Sequence, residues 1–313
     1  MRVVFWGSPA FAVATLDAVL ESPHPVVAVV TQPARPQGRG RRPQPTAVAR
    51  RAAAAGLPAL DPVRPRGADV VAALRAHAPD VFVVAAYGAI LPSAVLALPP
   101  RGALNVHASL LPAYRGAAPV TRALLEGRAE TGITIMRMDA GLDTGAIALQ
   151  APLAIAPDET AGTLTARLAH VGARLACVAL DRLAAGTLPD QPQDDAAASW
   201  APRVTTDAAR LVWSESGAAL ERAARAYDPW PGAWTTWRGE RLKVFRLAAG
   251  EAVPAAAGPP GRIVGVDPRP VVGVGDGTLA LAEVQPAGGR RMAAADWARG
   301  RGVEIGDVLG LHG

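Results

Sequence analysis

Strand-like and helix-like segments alternate through the first half of this chain, and that alternation limits the fold more than any other feature. Short apolar segments predict buried strands at residues 2–6, 25–31, 81–86, 104–106, 131–138 and 147–154. The intervening segments carry apolar residues at helical spacing and predict helices at residues 9–20, 68–77, 118–126 and 163–183. Alternating strands and helices favour a Rossmann-like, doubly wound parallel sheet of the α/β class.

The pattern changes after residue 187. Residues 188–204 are rich in Pro, Asp and Gln and predict a linker. A helix is predicted over 216–227, followed by short strands, with Asp276-Gly277 as a strong hairpin signal. Several short strands favour a small β-barrel. We therefore predict two domains, residues 1–187 and 205–313, joined by the linker.

Composition excludes some classes of protein. Half of the 313 residues are apolar, yet runs such as 81–86 fall far short of the roughly 20 residues that cross a bilayer. The first residues lead directly into a strand-like segment, unlike a signal peptide. The single cysteine, Cys177, lies in a helical apolar segment and forms no disulfide within the chain. We expect a cytoplasmic protein without a membrane partner.

Positive charge is concentrated in one segment. The formal net charge is +5, and residues 22–60 contain no acidic residue but several arginines: Arg35, Arg39, Arg41, Arg42, Arg50 and Arg51. A localised cationic segment predicts a phosphate-binding surface. The alternative is a solvated flexible loop.

Familiar cofactor motifs are missing. The turn at Gly7-Ser8-Pro9 lacks the later glycines of a dinucleotide fingerprint, and no Walker motif occurs. The histidines show no metal-ligand spacing with Cys177 or the carboxylates. The pattern therefore disfavours NAD, and it offers no metal site.

Asn105, His107 and Asp143 are candidate catalytic residues. Asn105 and His107 are two residues apart at the end of a predicted strand, so their side chains share a face. Ligands of doubly wound sheets bind beyond the carboxyl ends of the strands. An amide can donate to a developing oxyanion, an imidazole can carry a proton, and a carboxylate can accept one or orient the imidazole. Singly, each residue also has an ordinary explanation as a strand-end cap, a buried structural histidine or a turn residue.

The longer motif removes that ambiguity. The string NVHASLLPAYRG at residues 105–116, with GLDTG at 141–145, resembles the signature of the folate-dependent formyltransferases. Over essentially residues 1–310 the chain is similar to the branch of that family that formylates methionine on initiator tRNA. Further matching segments are TQPARPQGRG at 31–40, ETGITIM at 130–136, YDPWPG at 227–232 and QPAG at 285–288.

This resemblance implies an activity and a set of site residues. The activity is transfer of the formyl group of 10-formyltetrahydrofolate to the α-amine of methionine on initiator methionyl-tRNA, without a metal or a covalent intermediate. It implies that residues 1–187 form the folate-binding catalytic domain and that 205–313 form an OB-like, tRNA-binding barrel. The implied catalytic residues are Asn105, His107 and Asp143. The implied folate-contacting residues are Ser109, Leu110, Leu111 and Pro112. The implied tRNA-binding residues are Arg35, Arg39, Arg41 and Arg42. We expect a monomer.

The chain departs from the family in two respects. Trp6 stands where a small residue is more common, which matters if that position approaches a ligand. The second domain is scarcely basic, so a tRNA role there requires a one-sided arrangement of residues such as Arg241, Lys243, Arg246, Arg290 and Arg291.

Two alternatives remain open. Another folate-dependent formyl transferase or hydrolase would share the catalytic string but not the arginine-rich loop. A non-catalytic RNA-binding protein fits the charge and the barrel but leaves Asn105, His107 and Asp143 unexplained.

Overall fold

The structure is a computed structural model that describes residues 1–37, 42–249 and 258–310. The chain divides into two compact units. The first comprises Met1–Pro119, Glu130–Ala154 and Thr165–Ala201. The second comprises Val120–Ala129, Ile155–Leu164 and Pro202–Gly313. The domain boundaries at residues 187 and 205 stay predictions from the sequence.

The helices and strands are numbered along the chain. The helices are α1 (Ala10–Leu20), α2 (Ala47–Ala54), α3 (Ala68–Ala76), α4 (Ser93–Leu96), α5 (Pro119–Leu125), α6 (Ala161–Ala184), α7 (Gly217–Ala226) and α8 (Ala294–Arg301). The strands are β1 (Val3–Gly7), β2 (Val26–Val30), β3 (Arg35–Gln37), β4 (Arg42–Gln44), β5 (Ala59–Leu60), β6 (Val81–Ala85), β7 (Ala103–His107), β8 (Arg115–Gly116), β9 (Glu130–Arg137), β10 (Ile147–Ala154), β11 (Trp200–Ala201), β12 (Trp234–Trp237), β13 (Glu240–Ala249), β14 (Ile263–Gly265), β15 (Val271–Val274), β16 (Gly277–Pro286) and β17 (Met292–Ala293).

A seven-stranded sheet organises the first unit. Its strand order is β10-β9-β7-β6-β1-β2-β5. The five strands from β5 to β7 are parallel, which confirms the predicted Rossmann-like α/β fold. The last two differ from the predicted all-parallel sheet, because β9 runs antiparallel to β7 and β10 antiparallel to β9. A loop without a helix joins β9 to β10, and such a connection returns the chain as an antiparallel neighbour.

The parallel strands are apolar because both faces of the sheet are covered. β1 and β6 are buried at every position. Helix α6 covers the face that carries Val106, and it approaches closely at Gly172. A Cβ atom at Gly172 would lie 2.7 Å from Val106 Cγ1. The absence of a side chain there therefore permits the contact between α6 and β7.

Trp6 belongs to the opposite face. Its ring is fully buried and packs on Phe82 and Tyr87 at centroid distances of 5.4 and 5.0 Å. Trp6 pairs with Val84, which pairs with Asn105, so Trp6 and Asn105 share one face two strands apart. Within the described ranges its Nε1 has no hydrogen-bond partner.

The second unit is built on an antiparallel sheet in the order β12-β13-β16-β15-β14, with β17 added to β16. The predicted hairpin at Asp276-Gly277 is confirmed by the pairing of β15 with β16. Residues 307–310 join the two outer strands. Leu309 bridges to Trp237, the last residue of β12, and Val308 bridges to Arg262, directly before β14. This segment closes the sheet, as the predicted OB-like barrel requires.

The barrel core is aromatic. Trp237 and Trp297 pack edge to face at 5.3 Å, and Trp213 donates its Nε1 hydrogen to Thr235 Oγ1 at 3.0 Å. Helix α7 contributes Leu220 and Ala224 to the same core. In the described part of the chain, no helix is both long and apolar enough to cross a membrane.

Candidate active site

Strand β7 presents Asn105 and His107 on one face of the sheet. Asn105 lies between Val84 of β6 and Met136 of β9, and His107 lies opposite Thr134. Val106, between them, faces the other side, towards α6. His107 is buried, with its side chain 6% exposed, whereas Asn105 is half-buried.

Asp143 reaches these two residues from the loop at residues 138–146. Arg137 ends β9 opposite Leu104, near the start of β7. The loop must therefore run back along the sheet face to reach the end of β7. Asp143 Oδ2 lies 3.6 Å from His107 Nδ1, and Asp143 Oδ1 lies 3.5 Å from Asn105 Nδ2. The amide, imidazole and carboxylate thus converge.

The environment of His107 sets its protonation state. Its Nε2 lies 3.0 Å from the carbonyl oxygen of Tyr114. A carbonyl can only accept a hydrogen bond, so Nε2 carries the hydrogen and the lone pair of the neutral ring is on Nδ1. Burial lowers the pKa of His107, against opposing contributions from the Asp143 carboxylate and the Tyr114 carbonyl. The imidazole is therefore neutral at neutral pH and directs a proton-accepting nitrogen towards Asp143.

Two backbone conformations at the site are unusual. Tyr114 and Asp143 have φ angles of 62° and 55°, in the left-handed region. That region is uncommon for a residue with a side chain, although Asp tolerates it better than Tyr. The conformation of Tyr114 directs its carbonyl at His107. Sequence reasoning missed this contribution because it comes from the backbone.

Gly116 holds the carboxylate of Asp143. Its N–H donates to Asp143 Oδ2 at 2.8 Å. Gly116 has a φ of 120°, and a Cβ there would lie 2.7 Å from the carbonyl oxygen of Ala201, its partner on β11. A glycine is thus needed both for the conformation and for the close pairing of β8 with β11.

Polar side chains of β9 and β10 form hydrogen bonds with the backbone of residues 109–112, the stretch predicted to contact folate. Thr134 Oγ1 donates to Ser109 O at 2.7 Å and accepts from Leu111 N at 3.0 Å. Gln150 Nε2 donates to Leu111 O at 2.8 Å. Thr134 and Gln150 are paired across β9 and β10, and His107 is paired with Thr134, so one polar row crosses three strands. Sequence reasoning missed Thr134 and Gln150.

The four residues of that stretch point in different directions. The Ser109 hydroxyl is buried and donates to Ala113 O at 2.6 Å. Leu111 is buried against Met136 and Ile147. Leu110 and Pro112 are half-buried. A ligand on the outer side would therefore meet the backbone and Leu110 or Pro112, rather than the Ser109 hydroxyl.

Two exposed apolar side chains lie in loops that follow strands of this sheet. Ile90 is 74% exposed in the loop after β6, and Leu142, beside Asp143, is 49% exposed. Leu91, in the first of these loops, belongs to an apolar cluster, and Met138, in the second, packs against the same cluster. Burial raises the pKa of Tyr87 in this cluster to about 12, against an opposing contribution from Gln32, so its phenol stays protonated.

Two short strands of the cationic segment, β3 and β4, pair as a hairpin. Strand β3 pairs with β4, with Arg35 opposite Gln44 and Gln37 opposite Arg42. Arg35 and Arg42 are exposed, and Arg35 Nη2 donates to Gln32 Oε1 at 3.1 Å. Arg39 and Arg41 lie outside the described residues.

The five barrel cations named from the sequence fall into two groups. Arg291 donates to both oxygens of Asp228 at 3.0 Å and to Glu283, and Lys243 Nζ donates to Pro231 O at 2.7 Å. These two cations are engaged in internal contacts. Three others are exposed: Arg241, which stacks 4.1 Å from the Trp234 ring, Arg246 and Arg290.

No group of three or more His, Cys, Asp or Glu residues within residues 1–37, 42–249 and 258–310 is arranged to hold a metal ion. The chemistry that the described site offers is that of Asn105, His107 and Asp143 themselves: a hydrogen-bond donor, a neutral base and a carboxylate.

The chain matches known protein families along both of its halves. Residues 1–180 match the formyl transferase family, and residues 203–302 match the C-terminal domain of formyl transferases. The chain therefore belongs to the formyl transferase family. It is 50% identical over 311 residues to the methionyl-tRNA formyltransferase of Thermus thermophilus, covering 99% of both chains.

Solved structures show the same fold at lower identity. A crystal structure of HypX from Aquifex aeolicus in complex with tetrahydrofolic acid superposes with a TM-score of 0.67 at 17% identity. The match covers 95% of this chain and 47% of HypX, so this chain spans about half of that protein. An N-formyltransferase from Helicobacter canadensis, in complex with folinic acid and dTDP-3-aminofucose, gives a TM-score of 0.67 at 16% identity, covering 90% and 99% of the two chains.

Proposed function

We propose that this protein transfers the formyl group of 10-formyltetrahydrofolate to the α-amine of methionine on initiator methionyl-tRNA. The observation that carries the proposal is the 50% identity to a methionyl-tRNA formyltransferase across both units, from one end of the chain to the other. The convergence of Asn105, His107 and Asp143 supports it with a donor, a base and a carboxylate.

10-Formyltetrahydrofolate supplies a formyl group activated by its attachment to N10. Asn105 Nδ2 donates a hydrogen bond to the formyl oxygen, where negative charge develops as the amine attacks. A donor of this kind contributes roughly 10²–10³ in rate. Its position on a sheet strand keeps the amide in place before the substrates arrive.

His107 removes the proton. An α-amine attacks only when neutral, and it must lose a proton as its bond to the formyl carbon forms. Nδ1 of the neutral imidazole accepts that proton, while Nε2 keeps its hydrogen bond to Tyr114 O. The resulting imidazolium is stabilised by the Asp143 carboxylate at 3.6 Å. The same proton then moves to N10 as the bond between N10 and the formyl carbon breaks.

The surroundings of the site fit a folate. A pterin is a flat, largely apolar ring with polar edges, and it needs apolar walls together with backbone donors and acceptors. Leu142, next to Asp143 in sequence, and Ile90, in the loop after β6, offer exposed apolar side chains. Leu110 and Pro112 of the 109–112 stretch supply further half-buried apolar surface.

The tRNA is bound through its phosphates by arginines of the 35–42 segment, with Arg39 as the main determinant. Arg35 and Arg42 support this assignment because both are exposed on the β3–β4 hairpin. We also propose that the protein acts as a monomer in the cytoplasm, where translation begins. A formyl transferase for an amino sugar is the weaker alternative, because the likeness to such an enzyme is 16% and extends to the fold alone.

The test is a formyl-transfer assay with 10-formyltetrahydrofolate and three acceptors: methionyl initiator tRNA, methionyl elongator tRNA, and none. We expect rapid formylation of the initiator, slow formylation of the elongator and negligible release of formate alone. Equal transfer to both tRNAs would contradict initiator specificity. Folate turnover without any tRNA would indicate a hydrolase instead.

A further inference from the structure

Residues 191–201, here called the brace segment, lie within the predicted linker yet are bound to the candidate active site. Gln191 exchanges two backbone hydrogen bonds with Ile147, at 2.8 and 2.9 Å. Ser199 accepts from Tyr114 N through its hydroxyl at 2.9 Å. Trp200 and Ala201 form β11 and pair with Arg115 and Gly116 of β8.

Gln193 makes the contacts nearest to Asp143. Its Nε2 donates to the carbonyl oxygens of Asp143 at 2.8 Å and of Gly145 at 2.7 Å. Its Oε1 accepts from Nε and Nη2 of Arg115, at 3.0 and 2.8 Å. A guanidinium only donates and a carbonyl only accepts, so the orientation of the amide is unambiguous.

Arg115 explains why the amide keeps this orientation. The arginine is 3% exposed, although its second partner, the Asp195 carboxylate, is 84% exposed. Arg115 directly precedes Gly116, whose N–H holds Asp143 Oδ2. The two ends of Asp143 are therefore held by neighbouring elements: the carboxylate by Gly116, and the backbone by Gln193.

We infer that Gln193 is a positioning residue that holds the Asp143 loop so that its carboxylate faces His107 and Asn105. This inference rests on the proposed function, since it assigns a reason to the geometry of the same site. The backbone of Asp143 has a φ of 55°, a conformation that persists when surrounding bonds determine it. Two short hydrogen bonds from one side chain, at Asp143 and Gly145, supply that constraint.

Gln193→Glu is the most specific variant for testing the role of the Gln193 amide as a donor. It has nearly the same shape and keeps an oxygen for Arg115, but it has no N–H to donate and places an oxygen against two carbonyl groups. We expect kcat for formyl transfer to fall by about 10–100-fold, since misplacement by about 1 Å can cost 10²-fold. Asp195→Ala is the matched control, because it removes the exposed partner of the same arginine. We expect it to leave kcat within about twofold, because the carboxylate that it removes is 84% exposed and Arg115 keeps both hydrogen bonds to Gln193 Oε1.

The same substitution made in an Asp143→Ala variant distinguishes positioning of Asp143 from general support of the fold. In Asp143→Ala the carboxylate is gone, so a residue that acts through it has little left to affect. We expect Gln193→Glu to lower the single-turnover rate by less than threefold in that background. An equal loss in both backgrounds, or no loss in either, overturns the inference. In a crystal structure of Gln193→Glu, Asp143 Oδ2 should lie farther from Gly116 N than the present 2.8 Å.

The test remains decisive if that variant fails to fold. Gln193→Met is similar in volume and uncharged, and the same two comparisons apply to it. Failure of the proposed function has a different signature: either the unaltered enzyme does not formylate methionyl-tRNA, or Asp143→Ala retains its full rate. Failure of the Gln193 inference leaves both of those results in place.

Discussion

At the scale of single residues, His107 is notable for the nitrogen that it leaves available. The Tyr114 carbonyl fixes the hydrogen on Nε2, and burial keeps the ring neutral. The lone pair on Nδ1 then faces a carboxylate, an unfavourable pairing until a proton arrives. The arrangement is therefore better suited to a protonated ring than to the neutral one, as the proposed role of His107 as the base requires.

Replacing Asp143 by Asn should test this directly. The amide keeps an oxygen for Gly116 N but removes the negative charge beside Nδ1. We expect kcat to fall by about 10²–10⁴-fold, with a much smaller change in the Kd for folate, because the charge acts chiefly in the transition state. Asp61→Asn, at an exposed position away from the site, is the control. Equal losses in folate affinity and turnover would contradict the assignment.

The protonation of His107 can be measured without turnover. Burial favours the neutral ring, and the Asp143 carboxylate favours the cation. The pKa of His107 should therefore lie below its ordinary value of about 6.5 and fall further in Asp143→Asn. Nitrogen-15 NMR of labelled histidine should show hydrogen on Nε2 and a lone pair on Nδ1 at neutral pH. A ring already protonated at neutral pH would be inconsistent with His107 as the base.

At the scale of elements, β7 and its neighbours are held by the close packing of α6 on one face and by hydrogen bonds on the other. Helix α6 lies against Val106 because residue 172 is a glycine. On the other face, the row from His107 to Thr134 and Gln150 ties three strands to the 109–112 stretch. The brace segment adds β11 to β8 and so fixes Gly116. A cluster of short strands and single polar side chains thus gives the site its geometry.

Replacing two helical glycines by alanine should change the free energy of unfolding in opposite directions. A methyl group at Gly172 would lie 2.7 Å from Val106 Cγ1, so Gly172→Ala should lower the free energy of unfolding by about 1–2 kcal/mol. No described atom lies within 4 Å of a Cβ at Gly300 in α8. Gly300→Ala should therefore raise the free energy of unfolding by about 0.5–1 kcal/mol. Urea denaturation measures both.

A second substitution checks the cause. In a Val106→Ala background the space beside Gly172 is open, and Gly172→Ala should there become neutral or stabilising. If Gly172→Ala destabilises both backgrounds equally, the contact with Val106 is not the reason.

At the scale of the whole molecule, some cations are held by internal partners and others are exposed to solvent, where they could bind a ligand. Arg291, Lys243 and Arg115 are engaged by carboxylates, a carbonyl or an amide inside their own units. Arg35 and Arg42, by contrast, are exposed on a hairpin that pairs only with itself among the described strands. Net charge therefore describes the potential for binding tRNA less well than the subset of cations that face solvent.

Substitutions in this segment should separate recognition from phosphate attraction. Arg39→Leu should raise KM for initiator tRNA or lower turnover, with folate binding nearly unchanged. Arg42→Ala should reduce the slope of log K against log salt for tRNA by about 0.7–0.9, as expected for one lost phosphate contact. Arg75→Ala, at an exposed position on α3, is the control. Unchanged tRNA kinetics in Arg39→Leu would exclude that residue as the determinant.

The sequence by itself determined the features that depend on local periodicity. The spacing of side chains predicted the common face of Asn105 and His107, the strands β1, β2, β6, β7, β9 and β10, and the helices α1, α3, α5, α6 and α7. The turn residues Asp276-Gly277 predicted the hairpin. The short elements α2, α4, β3, β4, β5, β8 and β11 were not predicted, because they are too short to show a clear period. Only the tertiary structure decided the reversed direction of β9, the return of the 138–146 loop and the use of Gln193 at Asp143. The reason is physical: strand direction depends on how a connection packs, and a backbone carbonyl such as that of Tyr114 has no residue type of its own. Gln193 and Asp143 are 50 residues apart, so folding alone brings them together.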